Sequence, residues 1–195
     1  MFRFIHAADI HLDSPLVGLS QYEDAPVDII RGATRTALSR LVDLAITREV
    51  HFVIIAGDLY DGDWKDYGTG LFFVNEMRRL NKENIPVYLI FGNHDAESKT
   101  TKSLELPENV HVFDTRSAES LTHGDLPVVL HGQGFATQSV TENLAGGDPA
   151  AVPGHFNIGI LHTNLGEAAG HGNYAPSTLP QLMAHGYDYW ALGHI

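Results

Sequence analysis

The most restrictive feature of this chain is a repeated junction, in which a short apolar run ends abruptly at a polar residue able to bind a metal or move a proton. His51 to Ala56 (HFVIIA) runs into Gly57-Asp58-Leu59-Tyr60-Asp61, Val87 to Phe91 into Gly92-Asn93-His94-Asp95, and Phe2 to Ala8 into Asp9-Ile10-His11. β-Branched and aromatic residues at this run length favour buried strands. Between the runs lie two helix-length stretches. From Ile30 to Val50, Ala33, Ala37, Leu41, Leu44 and Ala45 recur at helical spacing, and Leu71 to Leu80 sets Phe73, Met77 and Leu80 on one face before Pro86 blocks continuation. Strand, helix, strand, helix, strand predicts right-handed βαβ crossovers and a largely parallel sheet. Such a sheet gathers its ligands at the carboxyl ends of its strands, where these polar residues fall.

The second half is less regular. Val110 to Phe113, Val128 to His131, Asn157 to His162 and Tyr187 to Leu192 read as strands, with one short helix around Thr178 to Ala184. Two further junctions occur there, Leu161-His162-Thr163-Asn164 and Gly193-His194. No repeat or convincing linker divides the chain, so residues 1–195 are expected to form one domain. The stop just past the last strand, at Ile195, leads to the expectation that this domain is truncated before its natural C-terminal end.

All the junction residues are oxygen or imidazole donors, suited to Mn²⁺, Fe²⁺ or Zn²⁺, and the chain has no cysteine to compete. Asp58 is the natural bridge between two ions, because its strand should lie between those delivering Asp9 and Asn93. His6, His51, His111, His123, His131, His155 and His185 lack such a context and read as ordinary core or surface histidines. Lys and Arg total 12 against 24 Asp and Glu, a formal net charge of −12, which argues against gripping DNA or a membrane through a general positive field. Any contact with a polyanion is then local or metal-assisted. No segment approaches the ~20 apolar residues of a membrane span, and the lack of cysteine makes the cytoplasm the expected compartment.

The order D-x-H, GD-x-x-D, GNHD, a strand ending in His, then GH resembles the calcineurin-like metallophosphoesterases. The segments FIHAADIHLDSPL, FVIIAGDLYD, IPVYLIFGNHD, NIGILHTNL and GYDYWALGHI are most similar to the SbcD-like DNA repair exonucleases in their YhaO-like bacterial branch, from Phe2 to Ile195. This resemblance implies an α/β fold, a four-layer α/β/β/α sandwich with two mixed sheets, holding two divalent ions, Mn²⁺ first and Fe²⁺ or Zn²⁺ as alternatives. It implies that Asp9 and His11 bind the first ion, that Asp58 bridges both, that Asn93, His162 and His194 bind the second, and that His94 is catalytic. Asp95, beside it, reads equally as a helper of that imidazole or as a cap. The family continues its last motif as Gly-His-x-His, so the first ion is expected to be one ligand short here. Several relatives carry histidine where this chain has Asp61, which reads equally as a phosphate contact or as a turn former or acceptor behind the ligands.

The implied reaction is hydrolysis of DNA phosphodiester bonds by a metal-activated water, in exonuclease or endonuclease mode. The alternatives are a phosphatase or small-nucleotide phosphodiesterase on the same scaffold, or a non-catalytic DNA-binding or scaffold fragment. DNA and a coiled-coil SMC-like ATPase are the partners the resemblance implies, with a homodimer as a further option and no membrane.

Overall fold

The computed structural model describes residues 1–14, 27–61, 67–97, 105–124, 126–166 and 174–194. β1 (Phe4–Ala7), β2 (Phe52–Ala56), β3 (Val87–Ile90) and β4 (Val110–Val112) form one sheet in that order, and every pairing in it is parallel. The crossovers are α1 (Val27–Thr47) and α2 (Tyr67–Lys82), as the apolar periodicity predicts, and β2 lies between β1 and β3. α1 ends three residues before the expected Val50. Glu49 takes a left-handed φ of 49°, and the N–H groups of Glu49 and Val50 turn back to the carbonyls of Ile46 and Ala45.

The second sheet runs β5 (Glu119–Thr122), β6 (Val128–Gly132), β7 (Phe156–His162), β8 (Tyr189–Gly193). β5 pairs antiparallel with β6 and the rest are parallel. Only this sheet is mixed, which corrects the expectation of two mixed sheets: among the described residues, helical crossovers make every pairing of the first sheet parallel. Two short helices complete the fold. α3 (Asn93–Glu97) follows β3 directly, and α4 (Leu179–Ala184) starts at a capping box in which Thr178 and Gln181 satisfy each other's backbone N–H.

Alternation along β2 shows how the layers are held. Val53 and Ile55 face α1 and α2, in a core with Leu38, Val42, Phe73, Met77 and Leu80. Phe52, Ile54 and Ala56 point the other way, against Leu130, Ile158, Ile160 and Ala191 of the second sheet. A strand shows successive side chains to opposite faces, so a central strand buried on both sides must be apolar at every position, and β2 is. Leu161, Ala145 and Leu182 form a smaller cluster beyond the second sheet, under α4. The architecture is thus helices, sheet, sheet, helix, and the two sheets bring the ends of β1, β2, β3, β7 and β8 to one edge.

Candidate metal centre

At that edge the backbone leaves regular geometry. Asp9, His11, Asp58 and His194 all have positive φ, at 53°, 43°, 50° and 63°. Non-glycine residues rarely adopt this conformation, and a cluster of them is a feature of functional sites. Backbone bonds impose the turns: Asp9 and His11 donate to the carbonyls of Gly57 and Asp58 at 3.1 and 3.0 Å, which ties the end of β1 to the end of β2. The backbone N–H of His194 donates to both carboxylate oxygens of Asp9, at 3.3 and 3.2 Å, and so joins β8 to β1. Two glycines permit the close approach. A Cβ on Gly92 would lie 2.3 Å from Asp58 Oδ1, and one on Gly193 would lie 2.0 Å from the carbonyl oxygen of Ala56.

The six residues read from the sequence as ligands converge here from segments that span almost the whole chain. Potential ligand atoms of Asp58, His162 and His194 lie within 4.8 Å of one another, as do those of Asp9, His11 and Asp58. The two groups share Asp58. Its Oδ2 is 3.3 Å from His162 Nε2 and 3.8 Å from His11 Nε2, and its Oδ1 accepts the backbone N–H of His94 at 3.0 Å. Asn93 adds its Oδ1, 3.0 Å from His162 Nε2.

The chemistry of these donors fits a cation. His162 Nδ1 lies 3.0 Å from the Ala56 carbonyl, which can only accept, so Nδ1 carries the hydrogen, and in the neutral ring the lone pair is left at Nε2. That nitrogen faces Asn93 Oδ1 and Asp58 Oδ2. Three acceptors aimed at one point in a buried site call for a positive charge between them. The titration of the pair shows the same demand for positive charge, met by a proton on the ring. Burial works to raise Asp58, but the His162 ring, with the His94 N–H, outweighs it and holds the carboxyl below its usual range. Burial likewise works to lower His162, and Asp58 reverses that.

His94 is outside the two groups that share Asp58 but forms a third with His11 and Asp61, whose potential ligand atoms also lie within 4.8 Å of one another. Its Nδ1 is 2.9 Å from Asp61 Oδ1, and Ser14 Oγ donates to Asp61 Oδ2 at 2.5 Å. Asp61 is therefore the carboxylate in reach of the His94 ring. Asp95 is occupied with the backbone: it accepts the N–H groups of Leu59, Tyr60 and Gly92 at 3.2, 2.8 and 3.0 Å, and so takes the capping option of its two readings. Burial pushes its carboxyl up to about 6, and the charge of Asp58 adds to that.

A second support went unread in the sequence. Buried Asp13 accepts Arg35 Nε at 2.8 and 2.9 Å and Thr69 Oγ1 at 2.5 Å, pinning the segment after His11 to α1 and α2. Only its position, two residues past D-x-H, could have marked it. The histidines read as ordinary are held elsewhere: His6 by Tyr189 and the Leu192 carbonyl, His131 by Ser120 and Asn157, His123 by Tyr88. None of them belongs to the ligand groups among the described residues.

Comparison with known proteins decides the family. The model of the calcineurin-like phosphoesterase family matches residues 2–195. The chain belongs to that family. This calcineurin-like phosphoesterase is 36% identical over 195 residues to the uncharacterized metallophosphoesterase YhaO of Bacillus subtilis, covering 98% of this chain and 48% of that protein. It is 24% identical over 201 residues to the DNA double-strand break repair protein Mre11 of Saccharolobus solfataricus, covering 100% of this chain and 49% of the relative. The Mre11 protein of Sulfurisphaera tokodaii is 26% identical over 201 residues, with 98% and 48% covered. The chain thus spans about half the length of the relatives it matches. The family makes this a metallophosphoesterase domain, with a sandwich fold and a donor set of the corresponding kind. No helix among the described residues is long and apolar enough to cross a membrane.

Proposed function

We propose that this domain is a metal-dependent DNA nuclease of the repair type, acting in the cytoplasm, with two divalent ions held across the joined sheet edges. The observation that carries the reading is the shared carboxylate: Asp58 belongs to both ligand groups, with Asp9 and His11 on one side and Asn93, His162 and His194 on the other. The all-oxygen-and-nitrogen donor set suits Mn²⁺. When bound, the pair of ions activates water for attack on phosphorus and offsets the charge that develops on the phosphoryl oxygens.

The chain's own residues supply the rest. Asp9 and Asp58 concentrate negative charge that divalent cations would neutralise, which would let a protein of net charge −12 accept a polyanion at one place. His94, partly exposed and outside the two ligand groups, is available to the substrate through Nε2, where it holds the phosphate or returns a proton to the leaving oxygen. Asp61 keeps the other nitrogen of that ring occupied. The similarity to DNA double-strand break repair proteins supports DNA as the substrate, and an SMC-like ATPase is the partner that the resemblance to SbcD-like exonucleases implies.

The test is cleavage of end-labelled single-stranded and double-stranded DNA with Mn²⁺, set beside bis(p-nitrophenyl) phosphate and p-nitrophenyl phosphate. We expect metal-dependent loss of DNA. Turnover of the monoester alone, or DNA loss that survives chelation, would overturn the reading.

A further inference from the structure

We propose that Asp13 is a positioning residue, which with Arg35 and Thr69 clamps the backbone that presents His11 to the ion on the Asp9 side; this rests on the reading of the site given above. The segment is strained at every second residue, with positive φ at Asp9, His11 and Asp13 of 53°, 43° and 56°. Asp and His tolerate this conformation better than most side chains, yet each instance costs free energy that the surroundings must supply. At the near end β2 supplies it: the N–H groups of Asp9, His11 and Leu12 donate to the carbonyls of Gly57, Asp58 and Leu59 at 3.1, 3.0 and 2.8 Å. At the far end Asp13 supplies it. Its N–H donates to Thr34 Oγ1 at 3.1 Å, and its carboxylate accepts Arg35 Nε at 2.8 and 2.9 Å, Arg35 Nη2 at 2.5 Å and Thr69 Oγ1 at 2.5 Å.

Packing alone does not set this backbone. Leu12 is fully buried in the core under α1 and α2, but apolar burial has no direction and leaves open how the flanking peptides turn. The bonds of Asp13 are directional. Arg35 grips both carboxylate oxygens in a fork that an ammonium cannot reproduce, and its guanidinium lies over the Phe72 ring, 5.1 Å from the centroid, so the clamp closes on α1 and α2 together. Nor is Asp13 itself a ligand. It stands two residues from His11, yet it joins none of the ligand groups among the described residues, and a guanidinium and a hydroxyl take up its oxygens. Ser14 Oγ, on Asp61, ties the same segment to the turn after β2, whereas Asp13 ties it to the helices. Asn93, His162 and His194 lie at the ends of β3, β7 and β8 instead of on this segment. Loosening the clamp should therefore weaken one ion and spare the other.

The experiment reads the backbone first, without metal or DNA. ¹⁵N relaxation of the labelled chain in chelator should give the His11 amide the order parameter of rigid backbone, ~0.85, and Asp13→Ala should lower it toward ~0.6 while the amides of β2 and β3 keep their values. Arg35→Lys, which keeps the charge and loses the fork, should move His11 in the same direction. In calorimetric titration with Mn²⁺, Asp13→Ala should weaken one of two binding events ~10-fold to 100-fold and leave the other unchanged. If Asp13→Ala does not fold, Thr69→Val, which keeps the ion pair and the side-chain shape, takes its place and should weaken the same event ~3-fold or more. A His11 amide as rigid in the variant as in the wild type, or two ions weakened alike, would overturn the proposal. A wild-type chain that takes up a single ion would sink the two-ion reading, and the His11 order parameter would then decide the proposal alone. A wild-type chain that leaves DNA intact while His11 and the ions respond as stated would sink the nuclease reading and leave the role of Asp13 standing.

Discussion

Asp58 and His94 are separated by little space and, in the proposed reading, by a division of labour. Asp58 is buried, shared by two ligand groups and bonded to the backbone of His94 itself, whereas the His94 side chain turns away toward Asp61. Asp58→Ala is therefore expected to abolish Mn²⁺ binding in calorimetric titration and turnover with it. His94→Ala should retain the metal and lose ~10²-fold to 10⁴-fold in kcat. If His94→Ala strips the metal, the division is wrong. The glycines give a second test at this scale. The carbonyl of Ala56 cannot yield easily to a Cβ at Gly193, so Gly193→Ala should cost ~1–3 kcal/mol or more in urea unfolding and displace His194 from its group. An unfolding midpoint equal to that of the native chain would contradict the close approach.

Elements differ in how openly the sequence declares them. β2 and β3 are legible because burial on both faces demands unbroken apolar runs, and α1 and α2 because one apolar stripe must cover a sheet. β5 was missed for the converse reason. Glu119–Thr122 is an edge strand, polar except for Leu121, whose positions alternate between partly buried and exposed, and among the described residues its strand partner is β6. The proposed ligands were legible as a set because each stands where an apolar run ends. Asp61 was legible only as one of several options, a phosphate contact, a turn former or an acceptor behind the ligands, and the Asp13 support was not legible, because its contacts with Arg35 and Thr69 are encoded by no local pattern. Burial also ranks the energetic weight of the elements. Ile54→Ala, in the core between the sheets, should cost ~2–5 kcal/mol, while Thr178→Ala, at the cap of peripheral α4, should cost ~1 kcal/mol. Chemical denaturation of the two variants measures both, and equal costs would argue against a core centred between the sheets.

At the scale of the molecule, the acidic balance acts through a few carboxyls rather than through the sum. Asp148, after the short turn at Leu144–Gly147, has a buried Oδ2 with no hydrogen-bond partner, and burial pushes its carboxyl from the ordinary 3.8 up to about 7. The folded protein binds that proton more tightly than the unfolded chain does. Its contribution is thus fully present below pH ~4 and is lost as pH rises toward 7. Asp148→Asn should leave stability near pH 4 close to that of the native chain and raise it at pH 8 by on the order of 2 kcal/mol. Parallel thermal unfolding series at the two pH values check this, and a variant less stable at pH 8 would reverse the sign.

The whole account turns on one carboxylate joining two ions, and anomalous scattering at the manganese edge from crystals grown with Mn²⁺ tests that most directly. The account predicts two peaks flanking Asp58. The peak toward Asn93, His162 and His194 should be the stronger, since the proposed assignment gives that side four ligands with Asp58 and the side of Asp9 and His11 three. Manganese bound away from Asp58, or no peak at all beside it, would contradict the central claim.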